Sequence, residues 1–285
     1  MPLNANTVGG TTQAFEHDID ARWLMAYAAG LGDLNPAYMD TAGGAVIAHP
    51  VFPVCIEWPV ILDTRAIAGA QSLTSEESAR GVHAAHDLHI LRPIRAGDVL
   101  STTATMIKVE QIKPGAAYTL RLDTTDRITG ELVARTYQLG IYRGVSVTGH
   151  SQPIEVPPAW PDSADLSHAA PVAIDIPGAA AHTYTECARI WNPIHTDRAV
   201  ALAAGLPDII LHGTATLALA ISQIVSQFTD GRPSRVRRLG GRFSAMVMMP
   251  STVTLHTQQN DRTIGFEVRN QNGQAAISHG FVELE

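Results

Sequence analysis

The side chains best suited to chemistry lie in one short loop, Asn192-Pro193-Ile194-His195-Thr196-Asp197. Histidine exchanges protons near neutral pH more readily than other side chains, so His195 is a candidate general acid or base. A second pair, His212-Gly213, opens an apolar segment that is typical of a helix. Because Asn-Pro after a helix is also an ordinary turn, the loop on its own specifies no reaction.

A weak internal repeat indicates which elements position this loop. In the first half, a helix-like stretch from Ala21 to Gly30 runs into a loop from Gly32 to Asp40. In the second half, Tyr184 to Arg189 runs into the loop that holds His195. The alignment pairs Asn35 with Asn192, Pro36 with Pro193 and Asp40 with Asp197, and the two aspartates are interpreted as helix caps. Further helices are expected from near His49-Pro50 and from His212-Gly213.

Strand-like stretches follow the helices in both halves. Their β-branched residues and partial alternation predict strands at 88–93, 99–109, 118–123 and 132–142, and again at 241–249, 252–257, 263–269 and 275–284. Helices followed by an antiparallel meander favour an α+β fold over alternating βαβ units.

A proline-rich segment separates the halves. Residues 148–177 contain six prolines, which preclude a continuous helix or a central strand. The sequence therefore predicts an N-terminal repeat at 1–147, a linker at 148–177 and a C-terminal repeat at 178–285, each repeat the size of a small domain.

Taken together, these motifs resemble the MaoC-like, or hydratase 2 (R-specific enoyl-CoA hydratase), family. Its signature loop, Gly-Asp-x-Asn-Pro-[Ile/Leu]-His, corresponds to Arg189 to His195, and its downstream His-Gly pair corresponds to His212-Gly213. The first half resembles the N-terminal dehydratase repeat through Gly32 to Asp40 and through Arg92 to Asp98. The resemblance implies a double hot-dog fold, in which each half is a long helix wrapped by a curled antiparallel sheet.

The resemblance also implies an activity, the addition of water across the 2,3 double bond of an enoyl-CoA, or the reverse. Such a reaction needs a proton carrier, a donor to the thioester oxygen and a basic rim for the CoA phosphates. His195 fits the first role, Asn192 a positioning role and the Gly213 amide the second role. Further substrate contacts are expected from His212, Trp191, Tyr38, Arg235, Arg237, Arg238 and Arg242. CoA enters as part of the substrate, and no cofactor is expected.

One position departs from the family pattern. The catalytic carboxylate is expected two residues before the asparagine, where this chain has Ile190. The first-half loop keeps the aspartate as Asp33 but has Tyr38 at the histidine position. Three interpretations follow: His195 works with Glu186, one helical turn before Ile190, or with Asp33 across the two halves, or the hydratase chemistry is lost. In that last case the chain is a non-catalytic CoA-ester binder or subunit, and thioester hydrolysis is a further alternative.

Composition restricts the partners. A net charge of −7 argues against non-specific binding to nucleic acid or to an anionic membrane, because both need a broad basic field. The N-terminal residues show neither a basic nor an apolar signal region, so a cytoplasmic location is expected. The acyl-CoA thioester is the expected partner, with a homodimer as a possibility. His83, His86 and His89 invite a metal interpretation, but alternation along a strand puts His83 and His86 on opposite faces, and no metal site is predicted.

Overall fold

The two halves repeat one order of elements. The computed structural model describes residues 1–285, the side chain of Ser72 excepted. The first half contains β1 (Leu3–Asn4), β2 (Phe15–Asp18), α1 (Ala21–Gly30), α2 (Pro36–Met39), α3 (Pro53–Asp63), α4 (Ser75–Ala79), β3 (Gly81–Ile90), β4 (Val99–Ile112), β5 (Gly115–Asp126), β6 (Leu132–Arg143) and β7 (Val147–Thr148). The second half contains β8 (Val172–Ile176), α5 (Ala180–Ala188), α6 (Arg198–Ala203), α7 (Gly213–Phe228), β9 (Val236–Phe243), β10 (Ser251–Asn260), β11 (Thr263–Arg269) and β12 (Ala275–Leu284).

Ten of these strands form one antiparallel sheet in the order β2-β4-β5-β6-β3-β9-β12-β11-β10-β8. The first five belong to the first half and the last five to the second. Counted inwards from the two edges of the sheet, equivalent strands of the two halves occupy equivalent positions. The halves meet where β3 pairs with β9, with Leu88 opposite Leu239. We call this pairing the seam. The remaining pair, β1 and β7, is parallel and lies apart from the large sheet.

The helices cover one face of the sheet. The apolar residues of α3 and α7 belong to one core that also includes Leu88 and Leu239 from the two sides of the seam. Short α1 and α5 pack against each other beside these long helices. This arrangement, a helix wrapped by an antiparallel sheet in each half, confirms the α+β double hot-dog fold.

The helix boundaries follow from local chemistry. Asp20 caps α1 by accepting a hydrogen bond from the Trp23 amide at 2.7 Å. In α1 the buried Trp23, Leu24 and Tyr27 lie at helical spacing and form the face that meets α5. Cys187 of α5 leaves no room for a side chain at Gly30, the last residue of α1, so a glycine is needed for the two helices to approach.

Three details differ from the strand predictions. The strand predicted at 88–93 is β3, which begins at Gly81 and ends at Ile90. The first strand of the second meander is β9 at 236–243, not 241–249, because Arg237 and Arg238 belong to it. A bulge between His83 and Ala85 interrupts the alternation of β3. The expectation that His83 and His86 point to opposite faces is therefore wrong, and their ring centroids lie 5.3 Å apart.

Residues 149–171, which we call the strap, cross the face of the sheet that the helices leave open. Glu155 accepts a hydrogen bond from Tyr137 of the first half at 2.5 Å. Trp160 packs on Phe281 of the second half with ring centroids 5.3 Å apart. Residues 172–176, which the sequence assigned to the linker, form β8 at the sheet edge, a position that proline-flanked chain tolerates. The predicted linker thus covers the sheet and contacts both halves.

Candidate active site

His195 and His212 come together at the N-terminus of α7. Their imidazole rings are stacked, with centroids 3.7 Å apart and planes inclined by 25°. His195 ends a single 3-10 turn, Pro193–His195, that Asn192 caps, and His212 is the residue before α7. The second-half loop therefore places its two histidines as one pair.

The hydrogen bonds of His195 determine which nitrogen is available for chemistry. Its Nδ1 lies 2.8 Å from the carbonyl oxygen of Ile210 and donates to it, since a carbonyl can only accept. In the neutral ring Nε2 then carries the lone pair. Burial lowers the pKa of His195 to about 4, against the effect of the Ile210 hydrogen bond. The imidazole is therefore neutral at physiological pH and can accept a proton.

His212 completes the pair as a buried, neutral ring. Burial and the neighbouring His195 hold its pKa well below the usual value. Its Nε2 lies 3.2 Å from the hydroxyl oxygen of Thr185 in α5. Its ring centroid is 5.0 Å from that of Tyr184. Helix α5 thereby holds His212 in place, and His212 supports the ring of His195 by stacking.

Gly213 presents a backbone donor next to these rings. It is the first residue of α7, and the first amides of a helix have no acceptor within the helix. Gly213 is an exposed residue. A side chain at 213 would come within 2.9 Å of the Phe243 ring. Glycine is therefore required here by the packing of Phe243.

A cleft of about 260 Å³ lies next to the pair and is lined by His182, Thr185, Glu186, Trp191, Pro193 and Thr196. His195 and His212 are not among its lining residues, but His195 directly precedes Thr196, and we call this cleft the His195 cleft. Its walls include Thr185, which contacts His212, together with Glu186 and Trp191. The indole Nε1 of Trp191 lies 3.5 Å from a carboxylate oxygen of Glu186, and the Trp191 side chain is 60% exposed. Glu186 and Trp191 thus lie on the rim of the cleft, where a ligand can reach them.

Neither predicted carboxylate is bonded to His195. Ile190, at the position of the missing aspartate, is buried in the core. Asp33 accepts a hydrogen bond from the Asn35 amide at 3.1 Å within its own loop. Over the described part of the chain, no hydrogen bond or ion pair joins His195 to a carboxylate. The loop keeps the asparagine and histidine of the family motif, but Ile190 replaces the aspartate that precedes them.

The polar residues flanking His195 have local roles. The side chain of Asn192 accepts from the Ile194 amide, and that of Asp197 accepts from the Ala199 amide at 2.9 Å. Asn35 caps α2 in the same way, and its amide also donates to the Gly231 carbonyl at 2.8 Å. These contacts explain why the Asn-Pro sequence is repeated: it begins a short helical turn in each half.

The equivalent place in the first half is closed. Tyr38 stands at the position of His195, is fully buried, and has its ring centroid 5.5 Å from that of His49. The cavity beside His49 measures about 20 Å³, close to the volume that holds a single water molecule. Of these two places, a substrate group fits at the His195 cleft.

The predicted arginine rim is dispersed. Arg238 is buried in a bidentate pair with Asp87, and Arg242 lies 5.7 Å from the Trp160 ring of the strap, so both face away from α7. Arg237 is paired with Glu285 at 2.6 Å. None of the arginines from 235 to 242 lines the cleft as it is described. The expectation that Arg238 and Arg242 belong to a basic rim at the site is therefore wrong.

Sequence reasoning missed several members of the site. Thr185, the Ile210 carbonyl and the Tyr27–Tyr184 pair, with hydroxyl oxygens 3.3 Å apart, all position the histidines. Tyr27 and Tyr184 each precede the Asn-Pro of their loop by the same number of residues. Aligning the helices as well as the loops would have identified this tyrosine pair. The contact with Ile210 depends on tertiary structure, and no pattern in the sequence indicates it.

The described residues include neither a metal-binding group nor a membrane-spanning helix. In the part of the chain that is described, no three side chains of His, Cys, Asp or Glu are grouped as metal ligands. Among the described helices, none combines the length and the apolar character needed to span a membrane.

Comparison with known proteins gives matches in both halves. The family described as "MaoC like domain" matches residues 164–279, and the family described as "FAS1-like, dehydratase domain region" matches residues 6–136. Over 95 residues, a third of this chain, the sequence is 33% identical to peroxisomal multifunctional enzyme type 2 of Drosophila melanogaster. The chain spans only 16% of that relative and 13% of the Mus musculus protein of the same name.

Other likenesses extend over the whole chain. The sequence is 25% identical over 298 residues to 3-hydroxyacyl-thioester dehydratase Y of Mycobacterium tuberculosis, with 99% of each protein covered. The crystal structure of a MaoC-like dehydratase from Phytophthora capsici superposes with a TM-score of 0.81 at 20% identity, covering 99% of this chain and 98% of that one. At that identity the structural likeness concerns the fold alone. Residues 164–279 thus match the MaoC-like domain family, residues 6–136 match the FAS1-like dehydratase region, and the whole chain shares the fold of the MaoC-like dehydratase structure.

Proposed function

We propose that this chain hydrates a 2-enoyl-CoA to a 3-hydroxyacyl-CoA, or catalyses the reverse dehydration, at the His195 cleft. The observation that carries the proposal is the neutral His195 stacked on His212, the residue that directly precedes Gly213 at the N-terminus of α7. The names of the relatives, a 3-hydroxyacyl-thioester dehydratase among them, support the same chemistry. The test is loss of the absorbance of the conjugated thioester when crotonyl-CoA is added to the protein.

Each residue has a role in this reaction. The Nε2 of His195 takes a proton from the water that attacks C3 and returns it to C2 of the enolate. The Gly213 amide donates to the thioester oxygen as negative charge develops there, and the helix dipole of α7 adds to this effect. Glu186, on the rim of the cleft, accepts a hydrogen bond from the attacking water and orients it. CoA is part of the substrate, and the proposed reaction needs no cofactor.

We expect Glu186→Gln to lower kcat for crotonyl-CoA by about tenfold or more, because an amide holds the water less firmly than a carboxylate. Glu131→Gln, in an exposed turn, is the matched control and should retain wild-type activity. Asp33→Asn is the contrasting variant. A full rate in Glu186→Gln together with a lost rate in Asp33→Asn would assign the carboxylate role to the first-half loop instead.

The pH dependence of kcat/KM tests the protonation state of His195. A general base must be neutral in the free protein, and burial lowers the pKa of His195 to about 4. We therefore expect kcat/KM to stay level from pH 8 down to about pH 5 and to fall as the pH approaches 4. Circular dichroism at each pH shows whether the protein remains folded over this range. An acidic limb centred near the ordinary histidine value, about 6.5, would contradict the assignment.

A second candidate function follows from Ile190. Since an apolar residue occupies the place of the family's aspartate, a CoA-ester binder without turnover is the alternative. It predicts measurable binding of crotonyl-CoA by calorimetry and no change in absorbance. A thioesterase would instead release free thiol from a saturated acyl-CoA. The cytoplasmic location and the homodimer remain predictions from the sequence.

A further inference from the structure

Beneath the seam lies a group of polar side chains, all buried except the half-buried His83, that the proposed reaction does not use. It comprises Glu57, His83, His86, Thr136 and Gln138, and we call it the buried polar cluster. His86, Glu57 and Gln138 are at most 3% exposed. Five of the cluster's nitrogen and oxygen atoms have no hydrogen-bond partner among the described residues: Glu57 Oε2, Gln138 Oε1, His83 Nε2, and Nδ1 and Nε2 of His86. Buried polar atoms are normally paired, so this concentration calls for an explanation.

The strand register shows that these side chains share one layer. His86 of β3 lies directly opposite Gln138 of β6, and cross-strand partners point to the same face. Thr136 is two residues from Gln138 on the same strand, so it shares that face. The Thr136 hydroxyl donates to Glu57 of α3 at 2.5 Å, which identifies the face as the helix side. The cluster therefore lies between the sheet and the long helices.

The bulge in β3 extends this layer towards the active site. It turns His83 to the side of His86, and the His83 ring centroid lies 4.7 Å from that of Phe243. Phe243 in turn packs against Gly213, whose amide faces the proposed thioester. A continuous series of contacts thus connects Gly213 with Glu57. An acyl chain that separates these packed side chains on its way from the thioester would meet the cluster at His83.

The charge state of the cluster suits a neutral group. Burial lowers the pKa of His86 to about 4 and that of His83 well below its usual value, so both rings are neutral. Burial raises the pKa of Glu57 to about 7, against the effect of the Thr136 hydrogen bond. No lysine or arginine belongs to the cluster, so a carboxylate or phosphate finds no countercharge there. Neutral imidazoles offer one donor and one acceptor each, which matches a hydroxyl group.

We propose that the buried polar cluster binds a hydroxyl group on the acyl chain, and that the substrates are therefore enoyl-CoA esters with a hydroxylated tail. This inference rests on the proposed function, since it assumes that the thioester lies at Gly213. It assigns a specificity role to the histidines of β3, which take no part in the proton transfer. A plain alkyl chain in the same layer would leave the polar atoms unpaired and bind less well.

The test compares pairs of substrates that differ by one hydroxyl group. The kcat/KM of the wild-type protein is measured for 2-enoyl-CoA esters of six, eight and ten carbons and for their terminally hydroxylated counterparts. At the length that reaches the cluster, we expect the hydroxylated chain to be preferred by about tenfold or more. His86→Leu should reduce this ratio to near one, and Gln138→Met should reduce it as well. A terminal carboxylate in place of the hydroxyl should bring no preference.

Failure of this proposal can be distinguished from failure of the proposed function. Crotonyl-CoA is too short to carry a distal hydroxyl, so its turnover by the wild-type protein tests the hydratase activity alone. If crotonyl-CoA is hydrated and no chain length shows a hydroxyl preference, the cluster proposal is overturned and the function stands. If no enoyl-CoA is hydrated, the affinities of hydroxylated and plain saturated acyl-CoA, measured by calorimetry, decide the cluster proposal. The wild-type comparison suffices should His86→Leu not fold.

Discussion

Replacing His195 with alanine is expected to lower kcat for crotonyl-CoA by about 10²- to 10⁴-fold, the usual contribution of a general acid–base group. His195 is the histidine whose Nδ1 is held by the Ile210 carbonyl and whose ring is stacked on His212. Removing its ring leaves the Gly213 amide in place but no group to take the proton from water. Initial rates, followed by loss of the absorbance of the conjugated thioester, measure the effect.

The control is His168→Ala, which removes an exposed histidine of the strap and should leave the rate unchanged. Thermal unfolding of both variants shows whether the fold is intact. His195→Ala with wild-type activity would remove this residue from the site and would also remove the basis for the proposed reaction.

The second large effect concerns the stability of the seam. Asp87→Ala is expected to lower the free energy of unfolding by about 3 kcal/mol, because it removes both carboxylate hydrogen bonds of the buried Arg238 guanidinium and leaves it with the more distant Glu283, 3.6 Å away. Arg238 donates two hydrogen bonds of 2.9 Å to Asp87, and the two side chains are 10% and 2% exposed. The two residues belong to β9 and β3, the strands that join the halves. Urea unfolding at neutral pH measures the loss.

An exposed ion pair provides the matched control. Arg269→Ala breaks the contact of Arg269 with Glu267, where Arg269 is 50% exposed, and should cost less than about 1 kcal/mol. Acid gives a further check on Asp87. Burial raises the pKa of Asp87, but the hydrogen bonds from Arg238 and His89 outweigh this and lower it. Its stabilising contribution is therefore present above the unfolded value of about 3.9 and is lost as the pH falls through the folded value. Equal losses in Asp87→Ala and Arg269→Ala would show that the buried pair does not hold the seam.

Local patterns in the sequence predict two α+β repeats because each half carries its own caps, turns and periodic apolar residues, and the family resemblance implies the double hot-dog fold. Asn192 and Asn35 begin the same short turn, and the loop with His195 is contiguous in the chain. The sequence predicts a later start for β9, at residue 241, because arginines such as Arg237 and Arg238 are unusual in a central strand. Arg238 is accommodated only because Asp87 lies on the neighbouring strand.

The rest of the site depends on contacts between distant residues. The bulge that turns His83 towards His86 is a property of strand pairing, and the residue types along β3 do not predict it. The same holds for the carboxylate partner of His195. Spacing along a helix gave Glu186 as a candidate, but only the fold shows that Glu186 lines the cleft whereas Asp33 stays in its own loop.

The near-symmetric order of the ten-stranded sheet has a consequence for how this protein can change over time. In a symmetric dimer of identical subunits, every substitution appears twice and alters both sites at once. Here one gene encodes both halves, so Tyr38 can fill the first site while His195 remains in the second. A substitution in the first half can therefore change the shared interior without changing the loop that holds His195. Glu57, which comes from the first half, places an ionisable group in that interior.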